Sequence, residues 1–216
     1  AATDITGVEY DSRKVRPGSL FVAVEGLVAD GHQFIESACQ SGALAVAVNA
    51  ARAESIRVPE HVAVIACADT RRALSRLACR FFGDVSKRIP VVGITGTNGK
   101  TSTAYMMEAI LTDLGYKVGV MGTVNYRWPG TVVDAPNTTP ESRDIHEMLH
   151  RMYADGVNAV VMEVSSHGLA LGRVDDLTFT GAVFTNLTRD HMDFHNSFEE
   201  YFAAKRAMKK NNSFEE

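Results

Sequence analysis

Cysteine is scarce in this chain. Cys39, Cys67 and Cys79 are the three cysteines in 216 residues, an odd number set far apart among apolar neighbours. This excludes a disulfide framework, argues against a structural zinc site, and fits buried thiols in a reducing compartment. Basic excess is missing as well: 22 Lys and Arg face 26 Asp and Glu, for a net charge of −4, with no clustered basic stripe. Duplex binding draws most of its affinity from phosphate neutralisation, so nucleic acid is not the expected partner. No apolar run approaches the length that spans a bilayer, and the N-terminus lacks the charged-then-apolar layout of a secretory signal. The expectation is a cytoplasmic protein with no membrane partner. Low-complexity tracts are absent too, although Asn-Ser-Phe-Glu-Glu occurs at 196–200 and again at 212–216.

Apolar residues make up 45% of the chain, enough for one large core or two modest ones. Leu20-Phe-Val-Ala-Val reads as a buried strand, and Leu44-Ala-Val-Ala-Val and Val62-Ala-Val-Ile-Ala as two further strands. Between them, His32 to Ser41 has helical spacing closed by Gly42, and Asp69 is placed to cap a helix carrying Leu74, Leu77, Ala78 and Phe81. The short polar segment after Gly83 puts a domain boundary near Ser86, giving domains over 1–86 and 87–216. In the second domain Val118-Gly-Val-Met-Gly, Asn158 to Glu163 and Gly181 to Asn186 are further strands. Met106, Ala109, Ile110 and Leu114 give the helix between 100 and 115 an expected inward stripe. The fold class is α/β: a small α/β domain followed by a phosphate-loop domain with a mostly parallel sheet. Ligands of such sheets gather at the carboxyl ends of the strands. A doubly wound sheet is expected to continue past Glu216.

The most informative run is Gly93-Ile-Thr-Gly96-Thr97-Asn98-Gly99-Lys100-Thr101-Ser102, which follows the apolar Ile89-Pro-Val-Val and opens a helix-periodic segment. Small residues let amide groups turn toward one anion, a helix N-terminus adds partial positive charge, and Lys100 adds a full one. Thr101 would offer its hydroxyl to Mg²⁺. The strict pattern fails by one residue, since Ile94 stands where the first glycine belongs. A Gly-rich turn with an incidental lysine is the plain alternative.

Three strand ends converge on that loop in the expected topology: the loop itself, Glu163, and the Thr185-Asn186 turn leading to His191. Glu163 is placed to hold Mg²⁺ beside a phosphate, or else is a solvated strand-end acid. His167, Asp190, His191 and His195 crowd the same region, with His191 the best placed for a metal–phosphate centre. Ser197 to Glu200 fits a capping box, so a helix starts there. At 100° per residue Phe198, Tyr201, Phe202, Lys205 and Met208 share one face, which points Lys205 inward. A buried lysine tends to be neutral, paired or modified, and a neutral one captures CO₂ as a carbamate. Periodicity fits equally a lysine stem that reaches solvent.

Five ordered motifs, Gly96-Thr-Asn-Gly-Lys-Thr101, Asn137-Thr-Thr-Pro140, Glu163-Val-Ser-Ser-His-Gly-Leu169, Thr185 to Asp193 and Tyr201-Phe-Ala-Ala-Lys205, together resemble the Mur ligases. Asp11-Ser-Arg-Lys-Val and Pro17-Gly-Ser-Leu-Phe-Val-Ala resemble that family's UDP-binding domain, so the resemblance covers nearly the whole chain. It implies an ATP-dependent, ADP-forming acid–amino-acid ligase of peptidoglycan precursor synthesis. The carboxylate of UDP-MurNAc-L-Ala-D-Glu becomes an acyl phosphate, and a diamino acid, meso-diaminopimelate or L-lysine, displaces phosphate.

The resemblance implies roles as well. Gly96, Thr97, Asn98, Gly99, Lys100, Thr101 and Ser102 hold ATP, and Lys100, Glu163, His191 and Lys205 are catalytic. Thr101 and Glu163 hold one Mg²⁺, while Glu163, His191 and Lys205 as its carbamate hold a second. Tyr10, Ser12 and the Leu27-Val28-Ala29 segment meet the uridine nucleotide. Asn137, Thr138, Thr139, Ser165 and Arg173 meet the rest of the sugar-peptide. A monomer is expected. Family members are about twice this length, so the rest of the central domain and an amino-acid-selecting third domain are expected beyond this sequence, and this part alone is not expected to be fully active. A folylpolyglutamate synthase-like ligase and a nucleotide-dependent binding module are the competing readings.

Overall fold

The structure is a computed structural model that describes residues 4–26, 29–190, 194–195 and 197–208. Leu27, Val28, His191 and the second Asn-Ser-Phe-Glu-Glu lie outside the described residues. Two compact units divide between Phe81 and Phe82.

The first unit is a four-stranded parallel sheet in the order β1 (Gly7–Glu9), β2 (Ser19–Val22), β3 (Ala45–Asn49), β4 (Ala63–Cys67). The central strands β2 and β3 are buried and apolar on both faces, as expected where a parallel sheet is covered on both sides, whereas Ala63 to Ala66 of the edge strand β4 are exposed. Phe21, Val46 and Val48 pack with Ile35 and Ala38 of α1 (Ile35–Gln40) on one face. Leu20, Val22, Ala45 and Ala47 pack on the other with Leu74 of α2 (Thr70–Phe82). Asp69 accepts the amides of Arg71 and Arg72 at 2.9 and 3.1 Å, the cap its position predicts. The helix expected from His32 starts differently: residues 31–34 form a 3-10 turn, and α1 begins only at Ile35. Asp30 caps that turn by accepting the His32 amide.

The second unit carries a six-stranded sheet. Its strands are β5 (Val91–Thr95), β6 (Val118–Met121), β7 (Asn125–Trp128), β8 (Thr131–Asp134), β9 (Ala159–Glu163) and β10 (Gly181–Phe184), in the order β10-β5-β9-β6-β7-β8. The first four of that order run parallel, and β7 and β8 form an antiparallel hairpin turned at Pro129-Gly130. The helices are α3 (Lys100–Asp113), α4 (Ser142–Ala154), α5 (Ser166–Ala170) and α6 (Phe198–Ala207). Ile94, Val118, Val120 and Val161 meet α3 through Ala104, Met107 and Leu111. The larger cluster on the opposite face joins Val91, Val160 and Met162 to Ile145, Leu149 and Met152 of α4.

Here one expectation is overturned. Met106, Ile110 and Leu114 are 63%, 60% and 67% exposed, and Ala109 is exposed too, so the inward stripe of α3 is the other face. The phase is set at the helix start, where the Thr101 hydroxyl reaches Glu163 at the end of β9. Positions 104, 107, 108 and 111 then follow Thr101 onto the sheet side at 100° per residue.

Among the described residues, no helix is long and apolar enough to cross a membrane.

Candidate active site

The parallel topology brings the carboxyl ends of β10, β5 and β9 side by side, and the loop after β5 sits at their centre. Gly96 has φ +145° and Gly99 φ +85°, a backbone that favours glycine. A Cβ on Gly96 would stand 1.9 Å from Thr185 Oγ1. The segment after β10 clasps the loop from that side. Thr185 Oγ1 and Asn186 Nδ2 donate to the Asn98 carbonyl at 2.7 and 3.0 Å, and the Thr97 and Asn98 amides donate back to Asn186. Thr97 Oγ1 donates to the Thr188 carbonyl, accepts the Thr188 amide, and lies 2.9 Å from the Tyr201 hydroxyl of α6. Gly99 caps α3 with no side chain, so the helix opens on bare backbone beside Lys100.

Gly93 has a different job from the one its place in the loop pattern suggests. It lies within β5, and a Cβ there would come 2.1 Å from Met208 Cε and 2.8 Å from the Phe179 ring. It makes room for the core under α6.

Glu163 is 2% exposed yet well supplied with donors. Its Oε2 accepts from Thr101 Oγ1 and Thr123 Oγ1, both at 3.0 Å, and its Oε1 accepts the Thr123 amide at 3.1 Å. Gly122 leaves the space, since a Cβ there would meet Glu163 Oε1 at 2.2 Å. The hydroxyl of Thr101 gives its proton to Glu163 and keeps lone pairs, so hydroxyl and carboxylate oxygens together form the hard donor set that suits Mg²⁺.

Two lysines meet over one oxygen. Lys100 Nζ donates to the carbonyls of Gly96 and Thr97 at 2.9 Å each, and Lys205 Nζ donates to the same Gly96 carbonyl at 2.8 Å. Lys205 is 2% exposed, on the α6 face it shares with Tyr201 and Met208; Phe198 and Phe202, expected beside them, are exposed. Ser197 caps α6 by accepting the Glu200 amide at 3.0 Å. Burial and, after it, the nearby Lys100 together lower the pKa of Lys205 to about 8, with Asp190 opposing both. Burial lowers Lys100 as well, against Glu163 and Asp190. A pKa of about 8 leaves roughly a tenth of Lys205 neutral at pH 7.

The Asn137-Thr138-Thr139 segment borders Glu163. Thr139 Oγ1 lies 3.1 Å from both the Glu163 carbonyl and Ser165 Oγ and accepts the Ser165 amide at 2.9 Å. Thr138 Oγ1 lies 3.0 Å from Thr123 Oγ1. Arg173 donates to the Thr139 carbonyl at 2.8 Å, and its Nε faces the Glu141 carboxylate at 3.4 Å. The site thus gathers Thr101, Glu163, Thr138, Thr139, Ser165 and Arg173 around one strand end. The Asn137 carbonyl accepts the Tyr126 hydroxyl. Ser102 is exposed on the first turn of α3. His167 stacks 4.1 Å from the Phe194 ring, and buried His195 lies 6.0 Å from His167.

In the first unit, Tyr10 is half-buried after β1, Ser12 is buried at the start of a 3-10 turn capped by Asp11, and Ala29 is exposed. Ala29 closes a tight loop by accepting the Gly26 amide at 2.9 Å. Charged groups stitch the base of that loop. Arg52 pairs with Asp30 and with Glu25, and Asp30 Oδ1 lies 2.7 Å from His32 Nδ1. His32 Nε2 accepts the Asn49 amide, which fixes the ring proton on Nδ1 toward Asp30. Burial would raise Asp30, but the His32 amide, the His32 ring and Arg52 hold it at about 2. Glu25, Asp30 and His32 are the one cluster of metal-capable groups found among the described residues, and their polar atoms serve this network.

Sequence reading missed Gly122 and Thr123. Their signal was a Gly-Thr pair directly after an apolar strand, the same small-then-hydroxyl ending that marks the phosphate loop.

Residues 94–215 match the Mur ligase middle domain, and residues 4–82 match the Mur ligase family catalytic domain. A UDP-N-acetylmuramoyl-L-alanyl-D-glutamate–2,6-diaminopimelate ligase of Geobacter sulfurreducens is 48% identical over 94% of this chain and 39% of its own length. The ligase of the same name from Caldanaerobacter subterraneus subsp. tengcongensis is 46% identical, over 94% of this chain and 41% of its own. A solved structure bearing that ligase name superposes with a TM-score of 0.78 at 28% identity, covering 96% of this chain and 42% of that one. A MurF ligase from Thermotoga maritima in complex with ADP shares the fold, with a TM-score of 0.66 at 23% identity, over 98% of this chain and 44% of its own. The chain spans about two-fifths of the length of the curated relatives it matches. With both of its units matched in chain order, the chain belongs to the Mur ligase family.

Proposed function

We propose that this chain is the UDP-binding and ATP-binding part of a ligase that joins 2,6-diaminopimelate to UDP-MurNAc-L-Ala-D-Glu, with ADP and phosphate as co-products. The observation that carries the reading is the meeting of Thr101 with Glu163 at 3.0 Å beside two lysines that converge on the Gly96 carbonyl. Two anions, a triphosphate and a carboxylate, must be brought together, and positive charge, loop amides and hard oxygen donors are what that task needs. The printed names of the relatives favour 2,6-diaminopimelate over L-lysine.

In this reading the D-Glu carboxylate oxygen attacks the γ-phosphorus in line and ADP leaves. The diaminopimelate amine then attacks the acyl phosphate, phosphate leaves, and the amine proton is lost. Lys100 leaves its loop carbonyls to neutralise the phosphates, while the amides opening α3 orient them. Thr101 and Glu163 hold one Mg²⁺, and Glu163, His191 and Lys205 hold a second; bound there, the ions supply charge neutralisation and a template for in-line transfer. Lys205 enters as its carbamate: the neutral amine adds to CO₂ and releases a proton, turning a cation into an oxygen ligand. Gly96 to Ser102 hold ATP. Tyr10, Ser12 and Leu27-Val28-Ala29 meet the uridine nucleotide, and Asn137, Thr138, Thr139, Ser165 and Arg173 the sugar-peptide. The functional domains are 1–86 and 87–216, and the ligase works as a cytoplasmic monomer.

The test is release of radiolabelled phosphate by the full-length ligase. Release that requires both the UDP-dipeptide and 2,6-diaminopimelate supports the reading. Release with a folate substrate supports a folylpolyglutamate synthase-like ligase, and nucleotide binding without turnover a binding module. Lys205→Ala is expected to abolish release; bicarbonate does not restore it, and short carboxylic acids partly do. Undiminished release by that variant removes Lys205 from the mechanism.

A further inference from the structure

The hydroxyl of Thr123 stands between two groups of residues that the proposed function assigns to different ligands. On one side it lies 3.0 Å from Glu163 Oε2, which also accepts from Thr101; on the other it lies 3.0 Å from Thr138 Oγ1. The protons in this chain can be counted. An ionised carboxylate only accepts, so the single Thr123 proton points to Glu163, where a charge-assisted bond outcompetes a neutral one. The bond to Thr138 must then be filled from the other end, by the Thr138 proton. Once that proton is spent, Thr138 Oγ1 has only lone pairs left to offer outward.

Backbone geometry fixes this arrangement. The Thr123 amide holds Glu163 Oε1 at 3.1 Å, and Gly122 gives the carboxylate its space against the chain. Thr123 itself is exposed on its outer side. Its hydroxyl grips the acid on one side and Thr138 on the other.

We propose that Thr123 is a positioning residue that couples the two ends of the site: it orients Glu163 for the cation and polarises Thr138 as a dedicated acceptor for a hydroxyl or amide N–H of the sugar-peptide. The proposal rests on the ligase reading above. Binding at Thr138 tightens the Thr138–Thr123–Glu163–Thr101 chain, so cation-bound nucleotide and sugar-peptide raise each other's affinity by the same factor.

Calorimetry on the full-length ligase tests this without turnover. UDP-MurNAc-L-Ala-D-Glu is titrated with and without Mg²⁺ and ADP, and native protein is expected to bind it about fivefold or more tighter when both are present. Thr123→Val brings that ratio close to one, Thr123→Ser retains it, and Thr138→Val costs less affinity in the Thr123→Val background than alone. A native-like ratio in Thr123→Val, loss of it in Thr123→Ser, or additive losses in the double variant each overturn the proposal. A native ratio of one overturns the coupling alone, whereas native protein that binds no UDP-dipeptide overturns the ligase reading and this inference with it.

Discussion

The loop at Gly96 and the loop at Gly26 are fastened by opposite means. At Gly96 the fastening is neutral: threonine, asparagine and tyrosine side chains hold backbone groups, and the lysine charges rest on carbonyl oxygens. At Gly26 the fastening is ionic, with Arg52 paired to Asp30 and Glu25 and the His32 ring hydrogen-bonded to Asp30. The cations at Gly96 rest on neutral carbonyls that an anion could displace, whereas the cation at Gly26 is already matched by two carboxylates.

The largest effect expected is at the neutral loop. Gly96→Ala drives a Cβ to 1.9 Å from Thr185 Oγ1 at a φ of +145°, and should weaken Mg²⁺–ADP binding by about 100-fold or more in calorimetry. A variant with native affinity would mean the loop is less tightly defined than described.

Acid separates the two units next. His146 of α4 is buried, its Nε2 has no hydrogen-bond partner among the described residues, and burial lowers its pKa from 6.5 to about 4 against the pull of Asp176 and Asp84. Between those values the unfolded chain binds more protons, so stability falls as pH drops from 6.5 toward 4, by about 3 kcal/mol in all. Asp30, held at about 2 from 3.8, contributes above 3.8 and loses its contribution only as pH falls below that. Denaturant melts at pH 7 and pH 4.5 should therefore show the second unit weakened and the first nearly unchanged; His146→Gln should flatten the difference.

At the ionic loop, Asp30→Ala removes a cap and strands the His32 ring, while Arg52 keeps Glu25, at a cost of about 1–2 kcal/mol in the first unit. UDP-sugar binding should weaken while Mg²⁺–ADP binding stays native. Equal loss of both would contradict the division of labour.

The smallest effect is on α3. Met106→Gln, on the exposed face, should move the melting of this chain by less than about 0.5 kcal/mol, while Leu111→Ala on the sheet face should cost about 1–2 kcal/mol.

That helix shows where sequence reading ends. The strands, the phosphate loop, the Asp69 cap and the Ser197 cap were legible because each depends on neighbours in sequence. The phase of α3 was not, since two apolar stripes are written on it and the choice falls to a hydrogen bond between Thr101 and a residue 62 positions away. The same distance hid Thr123, whose meaning comes from Glu163 and Thr138 folding against it. The β7–β8 hairpin was within reach: Pro129-Gly130 sits between Asn-Tyr-Arg-Trp and Thr-Val-Val. Gly93 misled because a glycine near a loop looks like part of it, and only Met208 and Phe179 reveal the packing it serves.

One oxygen, the Gly96 carbonyl, is claimed by both Lys100 and Lys205. Like charges crowded on a single acceptor form a spring held closed: drawing one ammonium away relieves the other and settles it more firmly where it is. Conversion of Lys205 to the carbamate of the proposed mechanism would take one of the two cations off this oxygen and leave the Gly96 carbonyl to Lys100 alone.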